Sequence, residues 1–80
     1  MHNLVILGAS GSIGQSTLKV LRHNPGRWQV LALTAARSVE AMLRDCLEFS
    51  PRFAVMVDEA AASELAAQLK THGSATRVMA

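Results

Sequence analysis

Two kinds of pattern alternate along the chain. Leu4-Val5-Ile6-Leu7, Val30-Leu31-Ala32-Leu33 and Phe53-Ala54-Val55-Met56-Val57 are unbroken apolar runs. Runs of this length predict strands buried on both faces, the second extending from Trp28 to Ala35. Thr76 to Met79 reads as a short fourth strand. Between the runs, apolar residues recur at helical spacing. Ser12 to about His23 carries Ile13, Thr17, Leu18 and Leu21 on one side, with Ser12 and Gln15 at capping-box spacing. Asn24-Pro25-Gly26 stops that helix, because proline cannot continue the hydrogen-bond ladder. Val39, Met42, Leu43, Cys46 and Leu47 give a second helix one apolar face, and Ser50-Pro51 breaks it. Its other face sets Glu40 against Arg44 and Arg44 against Glu48. Asp58 caps a third helix with Ala62, Leu65, Ala66 and Leu69 inward, ended by Gly73.

The order β-α-β-α-β-α-β predicts an α/β fold, a Rossmann-like doubly wound parallel sheet covered on both faces, of which this is the first half only. In that topology the first strand is central to the whole sheet, and its other partner would have to come from beyond Ala80. The chain is therefore expected to be a fragment.

Composition narrows the class. Across 80 residues, 50% are hydrophobic and 18% charged, which excludes disordered and low-complexity chains. No apolar run is long enough to span a bilayer or to form a signal-peptide core. The single cysteine, Cys46, needs no oxidising compartment, so a cytoplasmic address is expected. The net charge of +2 does not by itself imply nucleic acid. Its distribution says more, because Lys19, Arg22, Arg27 and Arg37 stand in residues 1–37 with no carboxylate among them. Such a region suits an anionic ligand.

The chemistry lies in Gly8-Ala9-Ser10-Gly11-Ser12-Ile13-Gly14, which follows the first strand and opens the first helix. In that position Gly8 allows a tight turn and Gly11 lets the backbone approach a pyrophosphate. Gly14 lets the helix pack closely on the sheet, and the helix N-terminus faces the phosphates with unpaired N–H groups. Ser10 and Ser12 add hydroxyls, although Ser12 reads equally as a helix cap. The spacing G-x-x-G-x-x-G differs from the commoner G-x-G-x-x-G, and no P-loop lysine is present.

The end of the second strand points to the cofactor. NAD-specific domains usually place a carboxylate there for the ribose 2′-hydroxyl. Here Ala36-Arg37-Ser38 stand in its place. Arg37 offers a planar, permanently charged fork to a 2′-phosphate, and Ser38 adds a hydroxyl or caps the second helix. NADPH is expected over NADH. Other residues read as bland. His23 and His72 sit near helix ends and His2 at the terminus, none at metal-ligand spacing, and Cys46 reads as a buried, inert thiol. Trp28 reads as packing rather than as an adenine stack. No general base or nucleophile emerges.

The glycine segment continued through Gln15-Ser16-Thr17-Leu18, then Arg22-His23-Asn24-Pro25, then Cys46-Leu47-Glu48-Phe49-Ser50-Pro51-Arg52-Phe53-Ala54-Val55, closely resembles the start of the 1-deoxy-D-xylulose 5-phosphate reductoisomerase family. The likeness covers essentially the whole chain but only the opening of a much longer enzyme. It implies that residues 1–80 are the N-terminal part of an NADPH-binding Rossmann-like domain, with the catalytic and C-terminal domains absent from this chain. It also implies an NADPH-dependent oxidoreductase and isomerase of the non-mevalonate isoprenoid pathway. The family rearranges its sugar phosphate and reduces the resulting aldehyde to 2-C-methyl-D-erythritol 4-phosphate, using NADPH and a divalent cation, Mg or Mn.

The resemblance puts Ser10, Gly11, Ser12 and Ile13 at the cofactor's pyrophosphate and nearby groups and Ala36, Arg37 and Ser38 around its 2′-phosphate, while Gly8 and Gly14 join the cofactor-binding set through the glycine motif. The family commonly has threonine where Ser10 stands and glycine-lysine-asparagine where Ala36-Arg37-Ser38 stand, so a hydroxyl and a cation are retained. Catalytic residues and metal ligands are expected in later sequence, leaving these 80 residues inactive alone. A homodimer when full length, and no nucleic-acid or membrane partner, are expected. Two other readings stay open on the residues themselves. One is the cofactor domain of a semialdehyde dehydrogenase or an extended short-chain reductase. The other is a non-catalytic nucleotide-binding module.

Overall fold

A computed structural model describes residues 2–9, 11–24 and 26–80, with the backbone alone at His2. Four strands and three helices alternate along the chain: β1 His2–Ile6, α1 Ser12–Arg22, β2 Trp28–Ala35, α2 Val39–Phe49, β3 Phe53–Met56, α3 Glu59–Thr71 and β4 Arg77–Met79. The strands pair in parallel in the order β1-β2-β3-β4. This is the expected Rossmann-like half-fold. β1 ends at Ile6 and β3 at Met56, so Leu7 and Val57 belong to the loops rather than to the strands.

Right-handed crossovers taken in strict sequence order carry all three helices to one face of the sheet. α2 contacts both α1 and α3, through Gln15–Asp45 and Arg22–Glu48 on one side and direct packing on the other. The core therefore lies between this helical layer and one pleated face. Leu4 and Ile6, Val30, Leu33 and Ala35, Ala54 and Met56 point into it, meeting Leu18, Leu21, Met42, Cys46, Ala61, Ala62, Leu65 and Leu69. Full burial of each Leu or Met contributes about 1.5–3 kcal/mol.

None of these three helices covers the other face, which in a doubly wound sheet is the one that the second half packs against. By strand alternation it carries Val5, 54% exposed, half-buried Phe53 and Val55, and exposed Met79. Among these residues β1 lies at the edge of the sheet, with Leu4 and Ile6 facing the helical layer. In β1–β2 the register shifts between Leu4 and Val5, where Leu4 pairs Val30 and Val5 pairs Ala32.

All three helices depart from their sequence patterns: on α1, Ile13 is 83% exposed and Gly14 takes the buried place beside Leu18 and Leu21. Ala61 is buried and Ala66 exposed on α3, a rotation of the inward stripe by a single position around the small-residue run. On α2, Leu47 is 42% exposed while Asp45 is wholly buried. Glu48 pairs with Arg22 of α1 and not with Arg44 on its own helix. Arg22 also lies over the Phe49 ring at 5.4 Å, a cation–π contact that closes the α1–α2 seam. The helix stops follow the sequence. Ser50 takes a left-handed conformation at φ +48° just before Pro51, Asp58 accepts a bond from the Ala61 N–H at 2.9 Å, and Gly73 turns at φ +72°. Pro25 lies outside the described residues.

Candidate functional site

The carboxyl ends of β1, β2 and β3 bring together the loops around Gly8–Gly11, Ala36–Ser38 and Val57–Asp58. Ligands of open parallel sheets bind at this end. Gly8 leaves β1 at φ +66°, a conformation that favours glycine. Its N–H donates to Thr34 Oγ1 at 2.9 Å, and the Ala9 N–H donates to the Thr34 carbonyl at 2.7 Å. The Gly11 N–H closes the turn on the Gly8 carbonyl at 2.9 Å. A Cβ at position 14 would lie 2.4 Å from the Gly8 oxygen and 2.7 Å from the Ala9 Cα. Gly14 thus seats the helix against the loop backbone itself, a tighter constraint than the expected packing on the sheet. A Cβ at position 11 would meet the Gly8 oxygen at 3.3 Å.

The capping box read from Ser12 and Gln15 does not form. Gly11 holds the N-cap position with no side-chain cap bond, and Ser12 is the first helical residue. Gln15 instead donates from Nε2 to the Ala9 carbonyl at 2.7 Å and to Asp45 Oδ2 at 3.0 Å. Among the described residues no side chain caps the first turn of α1, which leaves its N–H groups open to an anion. Ser12 and Ile13 are exposed at this turn, Ile13 by 83%. Ser10 lies outside the described residues.

The second loop is anchored by its neighbours. The Val57 N–H donates to the Ala35 carbonyl at 3.1 Å and the Asp58 N–H to the Ala36 carbonyl at 3.0 Å. Ala36, Arg37 and Ser38 are all exposed. Ser38 occupies the N-cap of α2 through its carbonyl, which accepts from the Met42 N–H at 3.1 Å, while its hydroxyl makes no cap bond. Arg37 forms no ion pair among the described residues. Arg22 does, with Glu48, and its Nη2 stands 3.9 Å from Asp45 Oδ1. The acid-free first third is therefore partly neutralised by α2, and Arg37 stays uncompensated at the strand ends. The structure joins the two predicted halves through Thr34, whose side chain and carbonyl hold the glycine turn while its chain runs on into Ala36–Ser38.

Thr34, Gln15 and Asp45 were not among the candidate site residues of the sequence. The signal for Asp45 was present: with Met42 and Cys46 it falls three and one positions away on the buried stripe of α2. Burial holds the Asp45 carboxyl above the ordinary aspartate range, against the opposing pull of the Gln15 bond. Burial, and then Asp45 beside it, pushes the Cys46 thiol up to about 12, which makes it a poor nucleophile. The Arg22 bond holds Glu48 below the usual carboxylate range. Trp28 lies at the amino end of β2, the far end of the sheet from the glycine turn. Two concavities of about 660 and 580 Å³ also open at that far end, around Trp28 and around Arg52 and Arg77. Among the described residues no three His, Cys, Asp or Glu side chains gather as a metal site, and no helix is long and apolar enough to cross a membrane.

The sequence profile of 1-deoxy-D-xylulose 5-phosphate reductoisomerase matches residues 4–80. The chain belongs to this reductoisomerase family. A 1-deoxy-D-xylulose 5-phosphate reductoisomerase of Aeromonas salmonicida is 91% identical over 79 residues, 99% of this chain and 20% of the relative. That of Haemophilus ducreyi is 54% identical over the same share. The chain thus spans about a fifth of the length of the curated relatives it matches. A crystal structure of DOX-P reductoisomerase in complex with NADPH, fosmidomycin and magnesium superimposes with a TM-score of 0.93 at 33% identity, over 99% of this chain and 19% of that one. The reductoisomerase of Zymomonas mobilis in complex with NADPH gives 0.89 at 35% identity, over 98% of this chain and 20% of that one.

Proposed function

We propose that residues 1–80 are the N-terminal part of the NADPH-binding domain of a 1-deoxy-D-xylulose 5-phosphate reductoisomerase. The observation that carries this reading is the convergence of an uncapped, glycine-tight helix start and the unpaired Arg37 at one end of the sheet. Gly8, Ser10, Gly11, Ser12, Ile13 and Gly14 hold the pyrophosphate side of the dinucleotide, chiefly through the first-turn N–H groups of α1. Ala36, Arg37 and Ser38 surround the 2′-phosphate, with Arg37 supplying the bidentate charge and Ser38 a free hydroxyl. The space between Gly14 and Gly8 admits no Cβ, so the turn and the helix reach the ligand as one rigid unit.

These residues would hold NADPH, which when bound would supply the hydride for reduction of the rearranged sugar phosphate to 2-C-methyl-D-erythritol 4-phosphate, the accompanying proton coming from outside the turn. These residues orient the cofactor and select its phosphate, and they carry no proton-transfer group at the turn. The divalent cation, Mg or Mn, and the substrate take their ligands from outside these residues. A cytoplasmic homodimer without nucleic-acid or membrane partners completes the reading.

The test is NADPH absorbance in the full-length protein that carries this sequence, with 1-deoxy-D-xylulose 5-phosphate and magnesium or manganese. Oxidation should require both substrate and metal, with NADH clearly poorer. A folded protein that binds NADPH yet leaves it unoxidised would transfer the chemistry to another reductase class.

A further inference from the structure

On the NADPH reading above, we propose that Gln15 and Asp45 form a positioning strap that holds the glycine turn in its ligand-binding shape and so sets affinity for the pyrophosphate. Neither residue is among those placed against the cofactor.

The Gln15 amide has two protons, and both are used, on the Ala9 carbonyl at 2.7 Å and on Asp45 Oδ2 at 3.0 Å. Two acceptors facing one atom settle the orientation of the amide, since a flipped group would set its oxygen against two oxygens. Ala9 is wholly buried and its own N–H is already committed to the Thr34 carbonyl at 2.7 Å. With both backbone polar groups tied, the chain cannot rotate about Ala9 on its way into the first turn of α1.

Asp45 gives the strap its far anchor. Its side chain is wholly buried on α2 beside apolar Met42 and Cys46, a costly place for a carboxylate. Arg22 and Arg44 attract it and Glu48 repels it, yet none of these hydrogen-bonds it, and Oδ1 has no hydrogen-bond partner among the described residues. Among the described residues the one hydrogen bond of its side chain is to Gln15. Packing alone would be served by a leucine. What a carboxylate adds is an acceptor that pulls one Gln15 proton to α2 and leaves the other aimed at Ala9.

The experiment uses the full-length protein, with NADPH binding followed by fluorescence titration and 2′-AMP, which has the 2′-phosphate but no pyrophosphate, as a competing ligand. Asp45→Leu, which removes one hydrogen bond, should weaken NADPH by about tenfold, and Gln15→Met, which removes both, by at least about as much. Their affinity for 2′-AMP should match that of the unmodified protein. Asp45→Asn keeps an acceptor oxygen for Gln15 and should restore most of the loss. Folded Gln15→Met that binds NADPH as tightly as the unmodified protein would overturn the strap, as would equal weakening of both ligands. If Gln15→Met loses its cooperative melt, Gln15→Asn is read in its place. Its amide is one methylene too short to span both acceptors, so the same selective loss is expected, and unchanged affinity again overturns the strap. An unmodified protein that binds no NADPH brings down the functional reading and the strap together, whereas normal binding with unaffected variants removes the strap alone.

Discussion

The Gly8 carbonyl oxygen lies where a Cβ on residue 14 would approach within 2.4 Å. Both partners are backbone, so no flexible side chain can move aside. Gly14→Ala should therefore push α1 off the turn and destabilise the protein by about 1–3 kcal/mol, the usual cost of overpacking. Denaturant unfolding would read the loss. NADPH affinity should fall with it, because the first-turn N–H groups move together with the helix. Normal stability for Gly14→Ala would refute the close approach.

Arg37 stands exposed and without an ion pair among the described residues. Replacing it with alanine should remove a charged hydrogen bond to the 2′-phosphate, about 1.5–3 kcal/mol or roughly 10- to 150-fold in NADPH affinity. NADH, which has no such phosphate, should bind as before. Paired titrations of the two nucleotides check this, and equal losses for both would refute the assignment.

Thr34 supports Gly8 with a single hydroxyl. Thr34→Val keeps the shape and removes the acceptor, which should cost about 1 kcal/mol because water can reach this exposed bond. Thr34→Ser should recover it. The comparison of the two melting curves decides whether the hydroxyl or the methyl group matters.

Asp45 makes stability depend on pH with a definite sign. Its folded pKa is raised by burial, so below the ordinary aspartate value both folded and unfolded states are protonated and no cost arises. As pH climbs from that value through the raised one, the unfolded chain ionises more readily and the native state loses stability. Asp45→Asn cannot ionise. The difference in Tm, variant minus unmodified protein, should therefore grow more positive between about pH 3.5 and pH 7. A difference that stays flat or falls would contradict the burial cost.

Cys46 is 1% exposed, with its thiol pushed up to about 12. Native protein should react with a disulfide reagent far more slowly than unfolded protein, at a rate that follows opening of the α2–sheet contact. Labelling at the rate of a free thiol would place Cys46 on the surface.

Much of this molecule is decided locally. The alternation of apolar runs with helical stripes, the glycines after β1, the stops at Ser50-Pro51 and Gly73, and Arg37 in place of a carboxylate each rest on a few neighbouring residues. Backbone φ limits, capping chemistry and charge act over that range, so these local rules suffice for the elements and the parallel α/β order, and Arg37 supports the proposed preference for NADPH. The relationships between elements were decided only in the tertiary structure. Gln15 and Ser12 have the spacing of a capping box, yet a buried carboxylate thirty residues away offers Gln15 a better partner. Glu48 has Arg44 one turn away, yet Arg22 from another helix takes it. Leu7 reads as the last residue of the first strand, yet the chain has already turned there toward Gly8 and leaves it 76% exposed. In each case the local pattern states what a residue can do. Which of those possibilities wins depends on the partner that packing brings within a few ångströms, and linear spacing carries no record of that distance.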